Sequence, residues 1–123
     1  MKLSPAEETL MQHLWSRGEA YMKDLIDAYE DPKPAATTVA TLLKRMIDKG
    51  FVAYRERGNS REYYALVSRN DYFAKHVNGL IKNFFNNSAA QFASFFTTQT
   101  NLSAAELAEL RKLIDEQIDR QQP

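Results

Sequence analysis

The spacing of apolar residues changes once before residue 68, and this change restricts the possible folds more than any other feature. Up to Lys49, apolar side chains recur at every third or fourth residue, as they do on one face of a helix. Two short β-prone runs follow, Phe51–Tyr54 and Glu62–Val67, on either side of a turn that contains Gly58 and Asn59. The sequence therefore predicts three helices followed by a β-hairpin.

The three predicted helices have recognisable ends. The first begins at Ser4, which can cap the helix together with Glu7 in a capping box. The second covers roughly Tyr21–Tyr29, and the third runs from about Ala35 to Lys49, where Gly50 ends it.

The chain after residue 70 is predicted to be helical again, in three segments. The first ends at the polar triplet Asn86-Asn87-Ser88, and the second covers Ala89–Thr97. Ser103 and Glu106 form another capping box before the last helix. We therefore expect a mostly α protein with one small β-hairpin.

The charges are balanced overall, with 16 basic and 16 acidic side chains, but they are unevenly distributed along the chain. Residues 33–61 carry seven basic and two acidic side chains, whereas residues 1–32 carry three basic and seven acidic ones. A local excess of positive charge of this kind indicates a site for a polyanion.

Several classes of protein are excluded by composition. The chain has no Cys, so it can form neither a disulfide framework nor a thiolate metal site. It has no apolar run of about 20 residues that could span a membrane, and its N-terminal segment carries acids where a signal peptide is apolar. We expect a soluble, cytoplasmic protein.

The third predicted helix has one apolar face, and its other face is suited to DNA. Thr37 and Thr41 lie towards its N-terminal end, and Lys44 and Arg45 follow. Short hydroxyl side chains allow close approach to base edges in the major groove, and cations one or two turns later can reach phosphates. The alternative is that this face is simply solvated.

The predicted hairpin adds positive charge beside this helix. Arg55, Arg57 and Arg61 surround its tip, and strand alternation places Arg55 and Arg57 on one side with Glu56 on the other. A basic hairpin after a helix of this kind is typical of a winged helix-turn-helix. Residues 1–68 are therefore predicted to form a winged-helix DNA-binding domain.

Phenylalanine is concentrated in the second half of the chain. Six of the seven Phe lie between Phe73 and Phe96, in a segment too short to bury them by itself. Residues 69–123 are therefore predicted to form a helical dimerisation domain, which would give a homodimer with a two-fold axis. The alternative is a monomer in which these helices pack on the winged helix. The expected interface residues are Phe73, Leu80, Phe84, Phe85, Phe92, Phe95, Phe96, Leu110 and Ile114.

Four stretches of the chain resemble the penicillinase-repressor family of bacterial transcription factors. They are residues 3–15, which end in Leu14-Trp15, residues 38–52, which begin Thr38-Val39-Ala40-Thr41, the hairpin strand 61–67, and the tail 102–110. The resemblance implies a homodimeric winged-helix repressor that binds dyad-symmetric operators in double-stranded DNA. It also assigns DNA contacts to Thr37, Thr38, Ala40, Thr41, Lys44 and Arg45 in the third helix, and to Arg57, Asn59 and Arg61 in the wing.

The resemblance also implies a route of induction. Family members are often released from DNA when a sensor-linked protease cuts their C-terminal half before a Phe, which corresponds here to Ser94-Phe95. The copper-responsive branch of the family uses Cys pairs, which this chain does not have.

No catalytic or metal-binding constellation is visible in the sequence. His13 and His76 are isolated, and no nucleophile is paired with a base, so we expect neither an enzyme nor a cofactor. Two other functions stay open: a winged-helix regulator that responds to a small molecule, and a winged helix that binds proteins without binding DNA.

Overall fold

The computed structural model describes residues 2–122, and in that part of the chain it contains six helices and a three-stranded antiparallel sheet. The predicted fold class, mostly α with a small β-hairpin, is confirmed. In chain order the elements are α1 (Pro5–Arg17), β1 (Glu19–Tyr21), α2 (Met22–Asp27), α3 (Ala36–Asp48), β2 (Val52–Arg57), β3 (Ser60–Ala65), α4 (Arg69–Phe84), α5 (Ala89–Gln99) and α6 (Ala104–Gln121).

Strand β1 was not predicted, and Tyr21, which the sequence assigned to the second helix, belongs to it. This strand pairs with β3, so that the sheet order is β1-β3-β2. Three residues are too few to show an alternating pattern, and the hydrogen bonds that define β1 come from a strand some forty residues away. The second helix is correspondingly shorter than predicted.

The hairpin of β2 and β3 closes through a two-residue turn, Gly58-Asn59. Gly58 has a φ of 63°, which side chains other than Gly adopt only with strain. A positive φ at the first turn position matches the right-handed twist of the two strands, and it fixes the register in which Arg57 lies opposite Ser60.

The core lies between α1, α2, α3 and the sheet. Side chains that are completely enclosed come from each of these elements, among them Leu10, Leu25, Leu43 and Val52. Their spacing on α1 and α3 is the helical period that the sequence shows.

The first turn of α4 packs on α1. The Tyr72 hydroxyl donates a 2.6 Å hydrogen bond to Glu8 Oε2, and burial, together with this bond and the negative charge of Glu8, raises the pKa of Tyr72 to about 12. Phe73 lies 5.8 Å from the Trp15 ring and packs against the same core. Phe73, which the sequence assigned to the dimer interface, thus packs against this core.

The chain divides into two compact units: the first ends at Ala74 and the second begins at Lys75. The division falls within α4, a few residues after the predicted domain boundary at residue 68.

In the second unit the ring centre of Phe85 lies 5.5 Å from that of Phe92 and 5.4 Å from that of Phe95, and Phe92 stacks on Phe96. None of the described residues of this unit is fully buried.

Candidate nucleic-acid interface

Helix α3 presents the predicted face to solvent. Val39, Leu43 and Met46 are buried on its inner side. The six side chains proposed to read DNA are all exposed: Thr37, Thr38, Ala40, Thr41, Lys44 and Arg45. The burial pattern of α3 therefore leaves free the surface that a DNA-reading helix needs.

Thr41 is anchored to its own helix. Its hydroxyl donates a 2.9 Å hydrogen bond to the carbonyl oxygen of Thr37, one turn earlier. That bond fixes the side-chain rotamer and uses the hydroxyl hydrogen, so the oxygen remains as an acceptor beside the methyl group. A base that donates a hydrogen bond, or a thymine methyl group, is the partner that this arrangement fits.

One face of the hairpin carries arginines that are already paired with acids. Arg55 Nη2 lies 2.7 Å from Glu19 Oε1, and Arg57 Nε lies 3.2 Å from Glu62 Oε1. Arg55 Nε also approaches Glu62, at 3.9 Å. The prediction that Arg55 and Arg57 share a face is confirmed, and on that face their charges are offset by two carboxylates.

The opposite face of the hairpin holds Arg61. Arg61 pairs in register with Glu56, and it lies two residues before buried Tyr63, on the same side of the sheet as Tyr54. Its guanidinium lies 4.4 Å from the centre of the Tyr54 ring, which gives a cation–π contact. Of the three residues assigned to the wing, Arg61 and Arg57 therefore lie on opposite faces.

A cleft of about 760 Å³ separates α3 from the hairpin. Its walls include Ala40 and Lys44 from α3, Asn59 and Arg61 from the hairpin, and Lys23 from α2. Among the described residues that line it, three are basic and none is acidic. The structure therefore brings four of the nine proposed DNA-contacting residues together around one positively charged cleft. The other five do not line it: Thr37, Thr38, Thr41, Arg45 and Arg57.

Lys23 and Tyr54, which also line this cleft, were missed by the sequence reasoning. Lys23 lies in the acidic first part of the chain, where a single positive charge among seven acids does not indicate a site for a polyanion. Tyr54 was assigned only to a β-prone run, although alternation from Arg61 across the hairpin could have placed the two side chains on the same face.

Neither a metal-binding group nor a membrane-spanning helix was found in residues 2–122. In that range no group of three or more His, Asp or Glu side chains could hold a metal ion. None of the helices described there has the length and apolarity needed to cross a bilayer.

The family model described as penicillinase repressor matches residues 3–116 of the chain. The chain belongs to the penicillinase repressor family. This confirms the resemblance that the sequence motifs indicated, and it makes the protein a DNA-binding transcriptional repressor rather than an enzyme.

Individual relatives are distant but match along most of their length. The methicillin resistance regulatory protein MecI of Staphylococcus aureus (strain N315) is 25% identical over 115 residues, which cover 93% of this chain and 94% of MecI. The penicillinase repressor of Bacillus licheniformis is 22% identical over 120 residues, covering 97% of this chain and 94% of that protein.

A solved structure shares the fold. The apo form of wild-type MarR from E. coli superposes with a TM-score of 0.52 at 14% sequence identity, covering 93% of this chain and 76% of MarR. At that identity the likeness concerns the fold alone.

Proposed function

We propose that this repressor acts as a homodimer in the cytoplasm, on a dyad-symmetric operator whose two halves are each read by α3 of one protomer. The observation that carries this proposal is the exposed face of α3 beside a cleft lined by Lys23, Lys44 and Arg61. In this arrangement Thr37, Thr38, Ala40 and Thr41 approach base edges in the major groove. Lys44 and Arg45, with Asn59 and Arg61 of the wing, contact the phosphate backbone.

Homodimerisation is supported by the apolar surface of the second unit. Phe84 is 76% exposed and Ile114 is 58% exposed, and Leu80, Phe95 and Phe96 are exposed as well. On α6, Leu110, Leu113, Ile114 and Ile118 form an apolar stripe along one side of the helix. A second copy of the same segment would cover such a surface and create the two-fold axis that a dyad operator requires. Residues 1–68 would then bind DNA and residues 69–123 would hold the dimer together.

Selection of bound sequences from random duplex DNA with the purified full-length protein tests the proposal. The expected result is a palindromic consensus whose half-sites are one or more helical turns apart. A consensus without two-fold symmetry would argue against the dimer, and recovery of no consensus would argue against sequence-specific repression.

The proposal includes release from DNA by a sensor-linked protease. Ser94 and Phe95 are both exposed on α5 of the single protomer, although Phe95 also belongs to the surface that a second copy would cover. Cleavage there would separate α6 from the rest of the chain and remove part of the proposed dimer surface. Co-expression with a candidate protease, followed by mass spectrometry of the fragments, would show whether the chain is cut at this bond.

A further inference from the structure

The basic side chains of the hairpin and its surroundings differ in whether their charge is already paired. We propose that Lys23, Lys44 and Arg61 together bind the phosphates of one DNA strand in the cleft between α3 and the hairpin, and that Arg55 and Arg57 take no part. This inference rests on the proposed function and assigns the phosphate contacts within it.

The cleft fits a sugar-phosphate backbone by charge. Lys23, Lys44 and Arg61 are exposed and come from three separate elements, α2, α3 and β3. None of the three forms an ion pair with any residue in the described range 2–122, so their charge is available to a polyanion. The cleft continues the surface of α3 that carries Ala40, so a helix lying in the major groove would bring the adjoining strand to these cations.

Arg55 and Arg57 lie on the other face of the hairpin and already have partners. Glu62 is only 17% exposed and accepts from Arg57, while Glu19 of β1 accepts from Arg55. On this face both arginines are held in ion pairs, whereas Glu56, which pairs in register with Arg61 on the other face, forms no ion pair with it. To reach a phosphate, either arginine would have to leave its carboxylate, whereas Lys23, Lys44 and Arg61 have no ion pair to break in the described range 2–122.

Tyr54 acts as a positioning residue for Arg61. Its ring lies under the Arg61 guanidinium and packs in turn on buried Tyr63, with ring centres 5.8 Å apart. A guanidinium stacked on a ring keeps its N–H groups directed outwards at the ring edge, where they can donate to phosphate oxygens. Arg61 is therefore held on the cleft face before DNA arrives.

The salt dependence of binding to a short random-sequence duplex, measured by fluorescence anisotropy with the full-length protein, tests these assignments. Each phosphate contact contributes about 0.9 to the slope of log K against log salt concentration. Lys23→Gln and Arg61→Gln should each reduce the slope by about that amount per protomer. Arg57→Gln removes the same charge from the same hairpin and should leave the slope unchanged.

A second set of variants tests the role of Tyr54. Tyr54→Leu should reduce the slope as Arg61→Gln does, because the guanidinium loses its platform, whereas Tyr54→Phe keeps the ring and should match the wild type. If Tyr54 only stabilised the fold, Tyr54→Leu would lower the unfolding temperature and leave the slope as it is.

The outcomes separate this inference from the proposed function. If the wild-type protein binds no duplex, the proposed function fails. If it binds, but Lys23→Gln and Arg61→Gln keep the wild-type slope, or Arg57→Gln reduces it as much as they do, then the assignment of phosphate contacts alone is overturned.

Discussion

At the scale of single residues, the core of the first unit encloses one carboxylate. Glu7 is 1% exposed, and its Oε1 accepts from the backbone N–H of Ser4 and from Lys49 Nζ, each at 2.7 Å. Burial raises the pKa of the Glu7 carboxyl, but the hydrogen bonds from Lys49 and Ser4 and the positive charge of Lys49 outweigh it. The pKa is therefore held below its usual value of 4.5. A helix cap and an ion pair between α1 and the end of α3 thus share one side chain.

Lys49→Met should destabilise the protein. The substitution keeps a long apolar stem but leaves a buried carboxylate without its cation, which costs about 2 kcal/mol in the free energy of unfolding. Chemical denaturation measures the difference, and Lys44→Met, an exposed lysine on α3, should change stability little. Equal effects of the two substitutions would contradict the role of the ion pair.

The same contact gives stability a dependence on pH. Because the folded-state pKa of Glu7 is lowered, its contribution is fully present above about 4.5 and is lost as the pH falls through the lowered value. The difference in unfolding free energy between wild type and Lys49→Met should therefore shrink below pH 4.5. A difference that stays constant down to acid unfolding would show that Glu7 is not the group responsible.

Thr41→Ala should change which base is preferred at one position of each half-site. Loss of its oxygen and methyl group is expected to change the difference in binding free energy between the preferred base and the other bases at that position by about 1–3 kcal/mol. Selection from random DNA reads out the preference. Thr98→Ala is the matched control, because the Thr98 hydroxyl also donates to a carbonyl one turn earlier, at 2.7 Å, but lies on α5. An unchanged consensus with Thr41→Ala would remove Thr41 from the reading surface.

At the scale of elements, most of the fold could be predicted because the signals are local. The capping boxes Ser4/Glu7 and Ser103/Glu106 are both present, and each marks where its helix begins. Strand β1 could not be predicted, since its partner lies far along the chain. The sequence grouped Arg57 with Arg61 because both flank the turn. Their separate faces follow from the register in which Arg57 lies opposite Ser60 and Arg61 lies opposite Glu56.

Helix α5 protects the peptide bond that is proposed to be cut. Ser94 and Phe95 lie in the interior of α5, and the Thr97 and Thr98 hydroxyls donate to the carbonyls of Ala93 and Ser94, each at 2.7 Å. Proteases bind substrates in extended form, so α5 must open before this bond can be cleaved.

Ala93→Gly should speed cleavage at Ser94-Phe95. A glycine in the middle of a helix favours the open state by about 1 kcal/mol, or roughly fivefold in population. The rate can be followed by mass spectrometry with a protease that cuts on the amino side of phenylalanine. Ala108→Gly, placed within α6, should leave the rate at this bond unchanged. Equal rates for wild type and Ala93→Gly would mean that opening of α5 does not limit cleavage.

At the scale of the whole molecule, the two units differ in how much of their apolar surface is covered. The first encloses most of its large aliphatic side chains, with Leu66 as an exception, whereas the second leaves Phe84, Leu113 and Ile114 more than half exposed. Composition already indicated this contrast, because six Phe fall in a short helical segment. It could not show that Phe73 belongs to the first unit, since that depends on contacts between α4 and Trp15.

Phe84→Glu combined with Ile114→Glu should convert the proposed dimer into a monomer. Each substitution places a charge in the surface proposed to be buried between protomers, where it has no partner. Sedimentation equilibrium measures the mass, and operator affinity should fall in parallel. Leu66→Glu, which alters an apolar residue of the first unit that is 55% exposed, is the control and should stay dimeric. A double variant that still sediments as a dimer would place the interface elsewhere.

Trp15 is the single tryptophan of the chain, and its indole N–H donates a 2.8 Å hydrogen bond to the Val67 carbonyl oxygen beside the rings of Tyr72 and Phe73. The protein thus carries a natural optical reporter at one defined place. Its emission will follow the melting of the first unit, while loss of structure confined to residues beyond 74 will leave it nearly constant. Comparing tryptophan emission with far-ultraviolet circular dichroism in one heating experiment would therefore separate the melting of the two halves without any label.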